Sequence, residues 1–235
     1  NDEFVLPKQK TIWDNILRML RRQPLGSAGA VVIILMAFAA VFAETIAPFD
    51  PELENFEYML SPPGTVHEDT GKVFYFGTDS FGRDQLSRMI YGARTALLVG
   101  FTASFCGAFL GLILGVASAY FGGYIDLVLQ RVCDVFMAFP LIIMALAIVS
   151  IFGTGVEMVI IAITIPFIPN CARVVRSSAL ALKGLPYIDA ARSVGYGHVR
   201  IIMRHMVPNV MAPFLIMLTA FVGQAILTEA SLSYL

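Results

Sequence analysis

The chain has 235 residues, 57% of them hydrophobic and 14% charged, against roughly 45–50% and 25% in soluble globular domains. Sixteen Lys and Arg nearly balance 17 Asp and Glu for a net charge of -1, so no overall field draws the chain to nucleic acid or to an acidic substrate. A mean hydropathy of +0.76 excludes a charged disordered chain and points to a polytopic membrane protein.

Crossing about 30 Å of hydrocarbon takes about 20 helical residues, and the charge-free runs supply five such segments. The tail, residues 1–24, carries Ile12, Trp13, Ile16, Leu17 and Leu20 among Lys and Arg, which predicts a helix lying on the membrane surface. Leu25 to Ala43 is uncharged and opens a first transmembrane helix over 25–47. Val41 and Ala43 would also suit a signal peptidase, but the tail and the apolar run are both longer than a cleaved leader needs, so the segment reads as a retained anchor. An acidic loop fills 48–94. Uncharged runs follow at Thr95–Ile125, Val135–Val156, Met158–Ala172 and Met206–Thr228. None shows the period-two alternation of barrel strands, so the fold class is an all-α polytopic bundle.

Orientation follows from the basic residues, which stay on the cytoplasmic side during insertion. Lys8, Lys10, Arg18, Arg21 and Arg22 precede the first run, and Arg173, Arg176, Lys183, Arg192, Arg200 and Arg204 lie between the fourth and fifth, with Asp189 the one acid there. The segment 48–94 holds eight acids and four bases, and the fourth connection carries only Glu157. An N-terminus inside the cell, with one crossing per run, puts each of these segments on its expected side.

The sequence has no phosphate loop, no G-x-G-x-x-G, no H-E-x-x-H and no C-x-x-C, so no enzymatic or metal chemistry is assigned. His67, His198 and His205 read as polar loop residues, and Cys106, Cys133 and Cys171 as small buried hydrophobes. Asp126, Arg131 and Asp134 form a cluster at the start of the third span, where Arg131 reaches Asp134 at i, i+3. With no ionisable site at the midplane, the energy for transport would come from another subunit. Gly107, Gly111 and Gly115 predict a closely packed helix. Pro140, Pro166, Pro169 and Pro213 predict bends, which suit a channel lining and a merely bent bundle equally.

The segment between the fourth and fifth runs reads K-G-L-P-Y-I-D-A-A-R-S-V-G-Y-G-H-V-R. Pro186 suits a first helical position and Gly195 a left-handed cap, bracketing a helix of about two turns. Asp189 meets the positive end of its dipole. So short a helix is marginal alone, so it should dock on something. Ala190 and Ala191 leave a face small enough for another protein, and Tyr187 offers an anchor. A helix resting on lipid headgroups fits the same pattern.

This stretch resembles the cytoplasmic signature of ATP-binding-cassette (ABC) importer permeases, E-A-A-x-x-x-G-x9-I-x-L-P. Asp189, Ala190, Ala191, Gly195, Val207 and Pro208 stand on its positions, with Asp for Glu, Val for Leu, and His205 where Ile is written. Phe76–Thr95, Tyr120–Asp126 and Ala230–Leu235 resemble blocks of the dipeptide, oligopeptide, nickel and glutathione branch, and the likeness runs from about Arg21 onward. It implies a type I importer permease with six spans, five of them in this sequence, and a permease core over 95–235. The implied partners are a second homologous permease, two ABC ATPases, a periplasmic substrate-binding protein and the lipid bilayer of a bacterial inner membrane, with no nucleic acid. ATP and Mg would be bound by the ATPases, leaving this chain without a cofactor and without an enzymatic role. Residues of about 186–195, with Tyr187, Asp189, Ala190, Ala191 and Gly195, would form the ATPase-coupling helix. Peptide is the expected cargo, with nickel, glutathione and opines as alternatives within the branch and an ion-coupled carrier outside it.

Overall fold

A computed structural model describes residues 24–153 and 155–234; the expected surface helix of the tail lies outside them. The chain divides into two compact units, residues 1–94 and 95–235.

In the first unit, α1 (Pro24–Val41) is an apolar helix with its side chains largely exposed, followed by the short α2 (Ala43–Ile46). The acidic segment folds around a two-residue antiparallel hairpin, β1 (Thr65–Val66) and β2 (Val73–Phe74). Phe49 stacks on Phe74 at 4.5 Å, and Tyr58 stacks on His67 at 5.0 Å. His67, expected as an ordinary loop residue, is thus buried in an aromatic cluster and bonds Asn55 through Nε2 at 2.9 Å.

Asp79 orders the turn that leads into the next helix. Its Oδ1 accepts N–H bonds from Phe81 and Arg83, and its Oδ2 accepts from the Arg83 and Arg88 guanidinium groups. Burial alone would raise its pKa, but the backbone bonds from Arg83 and Phe81 and the Arg83 guanidinium outweigh it and hold the carboxyl below its ordinary 3.8. A lowered folded pKa means stability that is complete above 3.8 and lost as pH falls through the folded value. Amide exchange at Phe81 and Arg83 should therefore speed up relative to its intrinsic rate below that pH, and Asp79→Asn should remove the pH dependence.

Asp84 caps the long helix α3 (Gln85–Phe121), its Oδ2 accepting from the Ser87 N–H at 2.8 Å and the Ser87 hydroxyl at 2.7 Å. In the second unit α3 packs on α6 (Val156–Lys183) through the glycines singled out above. A methyl group on Gly107 would lie 2.7 Å from Phe167 Cβ, one on Gly111 2.5 Å from Cys171 Cβ, and one on Gly115 2.6 Å from the Ala172 carbonyl. These are closer than side chains approach, so the four-residue glycine spacing brings the two backbones into contact where lipid gives no hydrophobic drive. Cys171 and Cys133 are buried as expected, whereas Cys106 is exposed.

The third apolar run is not one straight helix. α4 (Gly123–Met137) and α5 (Leu141–Phe152) meet at a bend of 87°. Pro140 precedes α5 with an extended ψ of 137°, and a proline disfavours helical backbone in the residue before it. The 12 residues of α5 rise only about 18 Å, short of the bilayer core. Among the described residues, four helices are long and apolar enough to cross a membrane, or up to five if the bent pair makes one span. Asp126, Arg131 and Asp134 lie on α4, at the start of the third span as expected. After α6 come α7 (Pro186–Ser193), α8 (His198–Ile201), a π-helical turn Ile202–Met206, a 3-10 turn Val207–Val210 and α9 (Met211–Tyr234). The core of the second unit runs from Val99 and Ala103 through Phe167 and Val175 to Ile188, Met206 and Phe221.

Candidate functional site

Two groups of residues stand out at the arginine-rich end of the second unit. In the first, Arg176 on α6 grips Asp126 on α4 with both arms of its guanidinium, Nε to Oδ1 and Nη2 to Oδ2, each at 2.6 Å. Asp126 also accepts from the Ser118 hydroxyl on α3, and Gln130 Nε2 donates to the same hydroxyl oxygen at 3.1 Å. One carboxylate thus ties three helices together. Arg131 lies 3.6 Å from Asp134 as the spacing suggests, but Arg173 comes closer, at 2.6 Å. The sequence pattern found the local pair and missed both cross-helix ones, because Arg173 and Arg176 sit on a helix some 40 or 50 residues away.

The second group is α7. Proline at its first turn supplies the preset φ and removes an N–H that would have no partner. At its other end Gly195 has φ +84°, where only glycine rests without strain. The Gly195 N–H bonds the Arg192 carbonyl at 2.9 Å and the Tyr196 N–H bonds the Ala191 carbonyl at 3.1 Å, the paired bonds of a Schellman cap. Asp189 accepts from Arg192 at 3.2 Å across one turn.

The helix has two faces. Ile188 is fully buried and Ala191 is 6% exposed, both in the main core. Tyr187, Asp189, Ala190 and Gly195 are exposed. Ala191 therefore does not belong to the outward face assigned from the sequence: it lies one turn from Ile188 and packs inward, seating the helix. The chain's own core supplies a docking surface for the helix through Ile188 and Ala191. Beyond it, Tyr196 stacks on His205 at 6.0 Å and carries Arg200 at 4.1 Å over its ring, and Tyr120 at the end of α3 bonds His198 Nδ1 at 2.7 Å. Sequence reasoning passed over two exposed apolar residues nearby, Val194 at the end of α7 and Val199 on α8, each 74% exposed. Apolar residues standing among Arg192, Arg200 and Arg204 were the available signal.

Residues 107–235 match the family described as the binding-protein-dependent transport system inner membrane component. The chain belongs to that family. Residues 11–63 of the permease also match the N-terminal TM domain of oligopeptide transport permease C. A putative peptide transport system permease protein from Brucella suis is 42% identical over 93% of this chain and 71% of its own length. The glutathione transport system permease protein GsiD of Escherichia coli is 40% identical over 99% of this chain and 75% of its own. A crystal structure of an amino acid ABC transporter is a more distant likeness, with 20% identity, a TM-score of 0.41, and coverage of 63% of this chain and 76% of that one. The permease is an all-α, multi-pass protein of the inner membrane, and its exposed α7 face belongs to a transport subunit.

Proposed function

We propose that this permease is one of two homologous transmembrane subunits of an ATP-driven importer of short peptides, glutathione among them, in a bacterial inner membrane. Its N-terminus is cytoplasmic, as the arginine-rich connections favour. α7 is the coupling helix: Tyr187, Ala190 and Val194 dock in a cleft of a partner ATPase, while Ile188 and Ala191 fasten the helix to the bundle. ATP and Mg are held by the two partner chains, and a periplasmic binding protein delivers the cargo. The carrying observation is the division of α7 into a buried face, Ile188 and Ala191, and an exposed face that includes Ala190, with proline opening the helix and Gly195 capping its end. A helix seated this way passes a push from its exposed face into α6 and the π-turn beside it rather than folding up. ATP-driven closure of the ATPases then biases one of two bundle conformations. Peptide and glutathione follow from what the two relatives are named for.

Reconstituting the full-length chain with the second permease, both ATPases and a binding protein tests this. ATP-dependent accumulation of labelled di- and tripeptides is expected. Uptake that persists without the ATPases and collapses with an ionophore would overturn it in favour of an ion-coupled carrier.

A further inference from the structure

Among the described residues, four buried side-chain polar atoms have no hydrogen-bond partner, and two of them, His67 Nδ1 and Asp84 Oδ1, belong to residues that line one small cavity in the first unit. Asp84 is 2% exposed and His67 8%. The cavity measures about 10 Å³, and Phe49, Leu53, Asn55, Phe74 and Gly82 complete its wall. All of these residues lie between 49 and 84, and the backbone around them is closely held. The Asn55 N–H bonds the Phe81 carbonyl at 3.2 Å. A methyl group on Gly82 would lie 1.7 Å from the Asn55 carbonyl oxygen, so the turn at Gly82 rests directly on the backbone of Asn55.

One amide sets the hydrogen-bond roles at the cavity. Asn55 Nδ2 lies 2.9 Å from His67 Nε2, and an amide nitrogen can only donate, so Nε2 accepts. An imidazole that accepts at Nε2 carries its proton on Nδ1, which makes Nδ1 a donor. On the other side, Asp84 Oδ2 is taken by the N–H and the hydroxyl of Ser87, and Oδ1 is left as an acceptor. A carboxylate oxygen shut away from solvent without a donor costs its full desolvation. The volume is that of a single water molecule, which can accept from the imidazole N–H and donate to Oδ1. A metal cation in the same place would face that N–H instead of a lone pair.

We propose that this cavity holds one resident water molecule, which bridges His67 Nδ1 to Asp84 Oδ1. The bridge completes a polar line from Asn55 through His67, the water and Asp84 to Ser87, where the Phe49 N–H joins by donating to the hydroxyl oxygen at 3.1 Å. It thereby fastens the hairpin that carries His67 to the cap of α3. The assignment does not depend on the importer reading.

The test is a cryo-electron microscopy map of the assembled full-length complex at a resolution that shows ordered water. A single peak within about 3 Å of both atoms is expected. His67→Phe keeps a ring in the aromatic stack but removes both nitrogens. It is expected to clear the peak and to speed amide exchange at Ser87 about tenfold, because Asp84 must then turn or open to solvent to find a donor. The map of the variant reports whether the unit is folded. The water bridge is overturned by a wild-type map with His67 and Asp84 in direct contact, with no peak between them, or with a peak ringed by oxygens as a metal cation would be, and equally by a peak that survives in His67→Phe. Unchanged exchange at Ser87 in that variant would overturn the fastening of the cap.

Discussion

Ala190→Trp in the assembled transporter is expected to cut ATP-driven uptake at least tenfold while leaving the complex in the membrane and its ATPases able to hydrolyse nucleotide. Ala190 is exposed on α7 and is not one of the buried core residues, so a large ring there costs the fold little. It costs the docked interface a great deal, because overpacking a complementary surface forces side chains off their rotamers or opens the contact. Ala191→Trp should behave differently. That side chain is 6% exposed, so the ring must push into the core, and loss of folded protein should accompany loss of transport. Gly195→Val gives a third pattern: the left-handed φ of +84° costs a β-branched residue on the order of 1–2 kcal/mol, which loosens the cap rather than blocking the face. Measuring uptake, ATP hydrolysis and complex yield together separates the three. If Ala190→Trp transports normally, α7 does not dock.

Arg176→Ala is expected to lower the stability of the permease by on the order of 2–4 kcal/mol, because it leaves Asp126 among packed helices without its bidentate partner. Asp126 has 19% of its side chain exposed and Arg176 27%, so water softens the loss without abolishing it. Arg131→Ala should be nearly silent by comparison, since that guanidinium is 76% exposed and 3.6 Å from its carboxylate. The exchanged pair Asp126→Arg with Arg176→Asp should recover part of the loss if the ion pair, rather than packing, is responsible. Thermal melting of the purified complex reads all three, and equal effects of Arg176→Ala and Arg131→Ala would show that the cross-helix grip contributes nothing.

How much of this was legible in the sequence differs from element to element. The apolar runs announced the helices, because the free energy of placing a helix in lipid sums over about 20 neighbouring residues and needs no knowledge of the rest of the chain. Both ends of α7 were legible for the same reason: Pro186 and Gly195 act through their own backbone dihedrals, and a cap is complete within one turn. The glycines of α3 announced a close contact but not its partner.

The tertiary structure decided what depends on two distant segments meeting. The 87° bend turned a run that looked like one span into two helices, and the packing of α4 on α6 brought Asp126 to Arg176 across 50 residues of sequence. Ala190 and Ala191 are chemically identical and adjacent; the 100° step of an α-helix sends one outward and the other into the core, and the core's position fixes which. Hydropathy and capping are local free energies and can be read along the chain. Burial, ion pairing across helices and cavity shape are properties of packing, and the same residues acquire them only in this fold.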